Sequence, residues 1–418
     1  MRNIFTITLF SLAIQLIHAQ GYNHDMGEDS LYKYESLADK LFKLEKKHDA
    51  FNVWVNFAAS FQATDEDGKW ETRFANRELR LEIAGNINQH LSYRLRHQLN
   101  KSNAAKGGDN FAKATDLAWI AWHFNDKLNI QAGKICLNWG GFEYDENPIF
   151  IYRYSDFVDA MDIYMAGVGV SYRPVPSQEF VLQGTNTYNG SFHEEWGHGA
   201  VAVDTHNGNI TRLQKSRLPL TFIANWNGNF CNNRLQTRWA WGIQSLAKGK
   251  TGRLLTLGQQ LNMPRLQWYV DYYGGWYDID HLRFANKDLT QWAEDNPIFD
   301  SRTEDAEPTA NDTPPLLMAD VRYHSLVTKA NWQFATRWNL MLKATYETVS
   351  AAHKSNFHNY RKSFVYATSV EYYPIEKQNL RFFLAYIGHK VDYSKRSALQ
   401  DNNTNRIELG LMYRMKCF

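Results

Sequence analysis

From Phe51 onward the sequence alternates with a period of two, and the character of its two faces dictates the architecture. Phe51, Val53, Val55, Phe57, Ala59 and Phe61 share one face of a strand, while Asn52, Asn56, Ser60 and Gln62 share the other. The next segment sets Leu79, Leu81 and Ile83 against Asn76, Glu78, Arg80 and Glu82. The one after it sets Leu91, Tyr93, Leu95 and Leu99 against Ser92, Arg94, Arg96 and Gln98. A soluble sandwich must bury an apolar inner face, so it has no place for a second face that carries arginine and glutamate strand after strand. A closed barrel in a membrane has one: apolar side chains meet lipid outside, and polar side chains line a wet interior. The expected fold is therefore all-β, a transmembrane antiparallel β-barrel.

Further strands are expected near 115–124, 128–134, 163–173, 178–186, 218–226, 234–246, 253–261, 265–276, 320–332, 336–348, 363–373, 379–390 and 405–416, for a total of about 16, an even number as bacterial barrels of one chain require. The connections support this. Short turns at 125–126, 174–177, 262–264, 334–335 and 374–378 alternate with segments that are often longer, at 102–114, 135–162, 187–217 and 277–319. With the first strand starting in the periplasm, the short turns are periplasmic and the long segments external, although two external connections, 65–68 and 247–252, are also short. Aromatic residues make up 15% of the chain and mean hydropathy is -0.53, which suits strands and excludes a bundle of membrane helices.

Residues 1–19 read as a signal peptide: Arg2 precedes the apolar run Ile4 to Ile17, which is shorter than the roughly 20 residues of a spanning helix. Residues 20–50 form a periplasmic N-terminal segment, and the barrel occupies 51–418. Within that segment Tyr34, Leu37, Leu41 and Leu44 keep a heptad phase. A short helix is expected there, either solvated or joined with copies in a coiled coil. A formal charge of +2 gives no global field for nucleic acid. Cys136, Cys231 and Cys417 have no metal spacing and are odd in number, against a disulfide framework. Cys231 and Cys417 both fall at the periplasmic rim, after the eighth and sixteenth strands.

The third external loop, 135–162, stands out. Gly140 and Gly141, clustered acids, a proline and many aromatics make a structured loop, and its bulky residues need something to pack against. It is expected to fold into the lumen and narrow it, with Trp139, Gly140, Gly141, Phe142, Glu143, Tyr144, Asp145, Arg153 and Asp156 at the constriction. By the alternation, Arg80, Arg94, Arg96, Arg234 and Arg238 line the pore, either pairing with luminal acids such as Glu78 and Glu82 or attracting passing anions. His193-Glu194-Glu195-Trp196-Gly197-His198 is one residue longer than the zinc motif H-E-x-x-H; an opportunistic site with Asp204 and His206 is the alternative to an exposed polar loop. No catalytic constellation, metal centre or cofactor site is read from the sequence. Asn147-Pro148-Ile149-Phe150 recurs as Asn296-Pro297-Ile298-Phe299, by coincidence or as paired apolar plugs.

The run GK-x5-GGFEYDENPI, Gly133 to Ile149, with the export signal and the alternating strands, resembles the phosphate-selective porin family in the form common among Bacteroidetes. The resemblance implies a 16-stranded pore in the outer membrane of a Gram-negative bacterium, surrounded by its lipid, trimeric, with the third loop folded inward. One departure is that Leu411, Tyr413, Met415 and Cys417 carry the outward phase, leaving Phe418 out of register. The expected function is passive diffusion of small hydrophilic solutes. The third loop carries more acid than base, so the expected anion preference is weak, with phosphate one solute among others. An adhesin or enzyme working through the external loops is the alternative.

Overall fold

The structure, a computed structural model, describes residues 50–66, 68–103, 107–294, 315–352, 356–375, 378–397 and 399–417. The expected signal peptide, the heptad segment and the second Asn-Pro-Ile-Phe phrase lie outside the described residues.

Seven strands open the barrel: β1 (Asn52–Glu66), β2 (Lys69–Asn86), β3 (Leu91–Gln98), β4 (Thr115–His123), β5 (Leu128–Cys136), β6 (Tyr164–Val175) and β7 (Gln178–Asn186). Two strands of three residues, β8 (Val201–Val203) and β9 (Ile210–Arg212), stand in the next loop. Nine more complete the wall: β10 (Leu220–Phe230), β11 (Leu235–Ala247), β12 (Lys250–Met263), β13 (Leu266–Ile279), β14 (Leu316–Ala335), β15 (Trp338–Ala351), β16 (Arg361–Tyr372), β17 (Asn379–Tyr393) and β18 (Asn402–Lys416). Each wall strand pairs antiparallel with its neighbours, β7 pairs with β10, and β18 returns to β1 from Trp54↔Lys416 to Glu66↔Thr404. The result is a closed barrel of 16 strands. Closure leaves no wall edge with unpaired amides, which is what lets β-structure cross a hydrocarbon layer.

The alternation holds. Asn52, Asn56, Ser60 and Gln62 are buried inside, while Phe61 is 40% and Leu95 39% exposed outside. Near the short-turn end the outer face carries a run of aromatics, with Trp332, Phe334, Trp338 and Tyr372 in successive tilted ring contacts of 5.9, 6.4 and 4.7 Å. Amphipathic rings of this kind collect at membrane interfaces.

Asn76 departs from the expected phase. Ala58 pairs with Glu78 but Ala59 pairs with Asn76, so Arg77 is an extra residue in β2. This bulge reverses the alternation towards the β1–β2 turn: Asn76 points outward with Ala59, and Arg77 reaches inward. A one-residue slip is invisible to a periodicity count that runs in one direction.

Two long connections carry structure that the alternation does not reveal. The β7–β10 loop holds helix α3 (Phe192–Trp196), whose N-terminus is closed by a capping box between Ser191 and Glu194. It also holds β8, which pairs parallel with Leu316–Met318 at the start of β14, and β9, antiparallel to β8. The β13–β14 connection holds helix α4 (Phe284–Glu294). Residues of these loops and of the β5–β6 loop form one apolar cluster with the inner face of β10 to β15, including Trp139, Phe157, Trp196, Tyr273, Leu289 and Tyr323. Part of the barrel interior is therefore packed rather than wet.

Candidate functional site

The β5–β6 loop enters the lumen. Gly140 and Gly141 have φ of 71° and 85°, in the left-handed region that glycine adopts without strain. They press against the wall: Gly141 N donates to Arg238 O at 3.1 Å, and a Cβ on Gly141 would run into the Tyr273 hydroxyl. The wall has its own glycine there, since a Cβ on Gly258 would lie 3.0 Å from Gly141 Cα. Trp139, fully buried, donates Nε1 to Asp162 O at 3.0 Å, and Tyr144 Oη donates to the same oxygen at 3.1 Å, tying the outgoing arm to the returning one.

Buried carboxylates then fasten the loop to distant strands. Helix α1 (Phe142–Asp145) starts with Glu143 N donating to Asp271 Oδ2 of β13 at 2.8 Å. The Glu143 carboxylate, 0% exposed, accepts from Ser155 N at 2.8 Å and Ser155 Oγ at 2.6 Å, and forms an ion pair with Lys343 of β15. Helix α2 (Asp156–Ala160) presents its first amides to Glu347, Asp156 N at 2.8 Å and Phe157 N at 2.9 Å. The Asp156 carboxylate meets Arg361 at 2.8 Å, Ser363 Oγ at 2.6 Å and His389 at 3.1 Å. A carboxylate at a helix start offsets both the orphan amides and the dipole.

Between the helices, a 3-10 turn at Pro148–Phe150 is capped by Asn147, whose side chain accepts from Ile149 N. This tip crosses to the far wall. Ile149 and Tyr152 pack with Ala58, Met341, Phe383, Ala385 and Met412 of β1, β15, β17 and β18. Tyr152 Oη donates to Glu371 at 2.8 Å, and Arg406 donates to Tyr152 O at 2.9 Å. Arg77, moved inward by the bulge, donates to Ile151 O. The expectation that this loop folds inward holds, and it is held from both sides of the lumen.

The nominated arginines fall in different places. Arg80 and Arg96 share Asp116, at 2.8 and 3.2 Å, and Arg94 pairs with Glu82 at 2.8 Å. Arg238 lies 3.6 Å from Asp145 and over the Phe142 ring at 5.3 Å. Arg234 is corrected: β11 begins at Leu235, so Arg234 sits exposed in the turn and not on the inward face. The loop acids also separate, since Glu143 and Asp156 are buried in ion pairs whereas Asp145 is exposed and Glu146 meets Lys329 at 2.6 Å. Arg153 approaches Asp156 at 3.4 Å and His389 at 3.0 Å. Sequence reasoning missed Arg77, Asp271, Lys343, Glu347, Arg361, His389 and Arg406. Of these, Asp271, Lys343, Glu347, His389 and Arg406 have the inward phase of expected strands, but nothing in the sequence tells which loop residue they meet.

On the short-turn side the loop roofs a cavity of about 490 Å³, walled by residues of β3 to β6 and of β11 to β17 and by Phe142, Glu146, Phe150 and Tyr154 of the loop. On the other side, His281 Nε2 meets Asp162 Oδ2 at 2.6 Å and the Trp196 ring lies 5.8 Å away, tilted against it, linking both long loops to the base of the constriction loop. Burial opposes a charge on His281, but Asp162 and Glu195 outweigh it and raise its pKa. His193 and His198 stack at 4.4 Å, and His206 N bonds Asp204 within its own turn at 2.8 Å.

A 16-stranded barrel with an inward loop on its third external connection is a pore architecture, and the sequence profile of the phosphate-selective porin O and P family matches residues 51–415. The chain belongs to that family. The porin is an outer-membrane channel of the Gram-negative type. None of the curated proteins matches its sequence. Among solved structures it is similar to the outer-membrane channel DcaP of Acinetobacter baumannii, with TM-score 0.56, 11% identity, and coverage of 88% of the porin and 98% of that chain. It is also similar to OmpT of Vibrio cholerae in its trimer form (0.50, 12%, 88% and 100%). The anion-selective porin from Comamonas acidovorans matches at 0.50 and 10%, with 88% and 99% covered. At these identities the likeness concerns the fold.

Proposed function

We propose that the porin is a passive diffusion pore for small hydrophilic solutes with a modest preference for anions, and that it works as a homotrimer. The observation carrying the preference is the charge around the tip of the constriction loop. Arg77 and Arg406 divide one carboxylate, Glu408, at 3.2 and 2.5 Å. Arg153 shares Asp156 with Arg361 and His389, and Arg73 Nε is engaged by the neutral Gln62 at 3.3 Å. Cations outnumber carboxylates here, and a low-dielectric wall strengthens their pull on an anion passing within roughly 8 Å. By contrast Arg80, Arg94, Arg96 and Arg414 are all held by Glu78, Glu82 and Asp116, which reduces their field. The trimer rests on the OmpT comparison, and the GGFEYDENPI motif supports the Bacteroidetes form of the family. Reversal potential across a planar bilayer in a potassium chloride gradient tests the reading. The wild type should favour chloride, and Arg73→Gln with Arg153→Gln should move it toward potassium. A cation-preferring wild type, or a double variant with unchanged potential, contradicts the proposal.

A further inference from the structure

The cavity beneath the constriction loop differs in chemistry from the arginine-rich tip. Its wall is a belt of carboxamides contributed by five adjacent strands: Gln236, Gln260, Gln267, Asn331, Gln333 and Asn339. All six lie within a few residues of the short turns. A network orients three of them, with Gln260 Nε2 donating to Gln236 Oε1 at 2.9 Å and to Asn262 Oδ1 at 3.0 Å, and Gln267 Nε2 donating to Asn262 Oδ1 at 3.2 Å; Gln333 Nε2 donates to Thr336 O at 2.9 Å and Asn339 Nδ2 to Glu371 at 3.0 Å. The Asn331 amide has no side-chain partner among the described residues, and the network leaves the Gln260 and Gln267 carbonyls as acceptors toward the space.

Most charged groups at the cavity face an opposite charge, although Glu82 and Asp116 each serve two arginines, Arg94 with Arg414 and Arg96 with Arg80. Lys329 meets Glu146 at 2.6 Å, Arg381 meets Glu371 at 3.0 Å, and Arg238 lies 3.6 Å from Asp145. Arg94 and Arg96 are held by Glu82 and Asp116. Arg265, on the turn at the rim, is the cation without a carboxylate among the described lining residues. An anion entering here would compete with carboxylates already in place. A hydroxyl group would not: it donates and accepts at once, as a carboxamide does, and needs no counter-charge. The roof supplies aromatic surface from the half-buried Phe150 and Tyr154, and the start of β6 adds Tyr164. A volume of about 490 Å³ lies within the roughly 300–1,000 Å³ typical of small-molecule sites.

The geometry points to a binding site for short neutral saccharides in this vestibule, which the solute occupies on its way through the pore. This rests on the reading of the barrel as a diffusion pore, and the test separates the two. Single-channel current is recorded in planar bilayers with maltotriose added on the short-turn side, and separately with polyethylene glycol of the same hydrodynamic size. An open channel before addition establishes the pore. Maltotriose should then block the current along a saturating curve, while the polymer, which lacks the array of hydroxyls, lowers it only linearly. Gln260→Leu with Asn331→Leu should raise the half-blocking concentration about ten-fold, with unblocked conductance kept. Linear maltotriose curves that match the polymer overturn the proposal, as does an unchanged half-blocking concentration in a conducting variant. Relief of the block by millimolar inorganic phosphate also overturns it, because the site would then be an anion site.

Discussion

Glu143, Asp145 and Asp156 show what a residue's type leaves unsaid. As letters they are three acids in one loop. In the fold Glu143 is sealed against Lys343, Asp156 is held by Arg361, Ser363 and His389, and Asp145 stays exposed. The wall partners of Glu143 and Asp156 stand some two hundred residues away in sequence, so the pairing could not be read from local pattern. The inward phase of Arg94, Arg96 and Arg238 could be read, because alternation alone decides it. Two substitutions probe the fastening. Gly141→Ala puts a methyl against the Tyr273 hydroxyl at a positive φ, at a cost of roughly 1–3 kcal/mol. Glu347→Ala removes the acceptor for two amides of α2, at a cost of about 1–3 kcal/mol. Each should raise open-channel noise and protease cleavage within 141–160 while the barrel stays folded. Silent currents and unchanged cleavage in both would mean that these contacts do not hold the loop.

At the scale of elements, the constriction loop behaves as a small tertiary unit. Its helices of four and five residues are too short to stand alone, and their caps come from the wall and from within the loop. The wall strands were legible, as their side chains repeat every two residues over long runs. β8 and β9 were not, because three residues cannot display a period, and the bulge at Arg77 hid behind an otherwise regular strand. The long loops add a pH-dependent tie. Since the pKa of His281 is raised by Asp162 and Glu195 against burial and Arg283, its charged form stabilises the folded contact. That contribution is fully present below the ordinary histidine value of about 6.5 and is lost as pH rises through the raised value. Amide protection across 280–289, taken relative to the intrinsic exchange rate at each pH, should therefore fall on going from acid to alkaline pH, and His281→Gln should flatten the profile. Identical profiles for wild type and variant would contradict the tie.

For the whole molecule, closure and filling are separate achievements. Closure follows from alternation and from connections that differ in length at the two ends, both visible in the sequence. Filling does not follow, since the apolar cluster joins the constriction loop, the β7–β10 and β13–β14 connections and the inner faces of β10 to β15. No stretch of sequence records that those loops turn inward together. The constriction loop occupies the lumen, and it is expected to set the conductance. The most direct measurement is single-channel conductance after deletion of residues 141–156, with folding checked by heat-dependent mobility in detergent gels. A barrel wall of this strand number leaves a wide aqueous channel when unobstructed, so conductance should rise well above the wild type. A correctly folded deletion that conducts like the wild type would contradict the account.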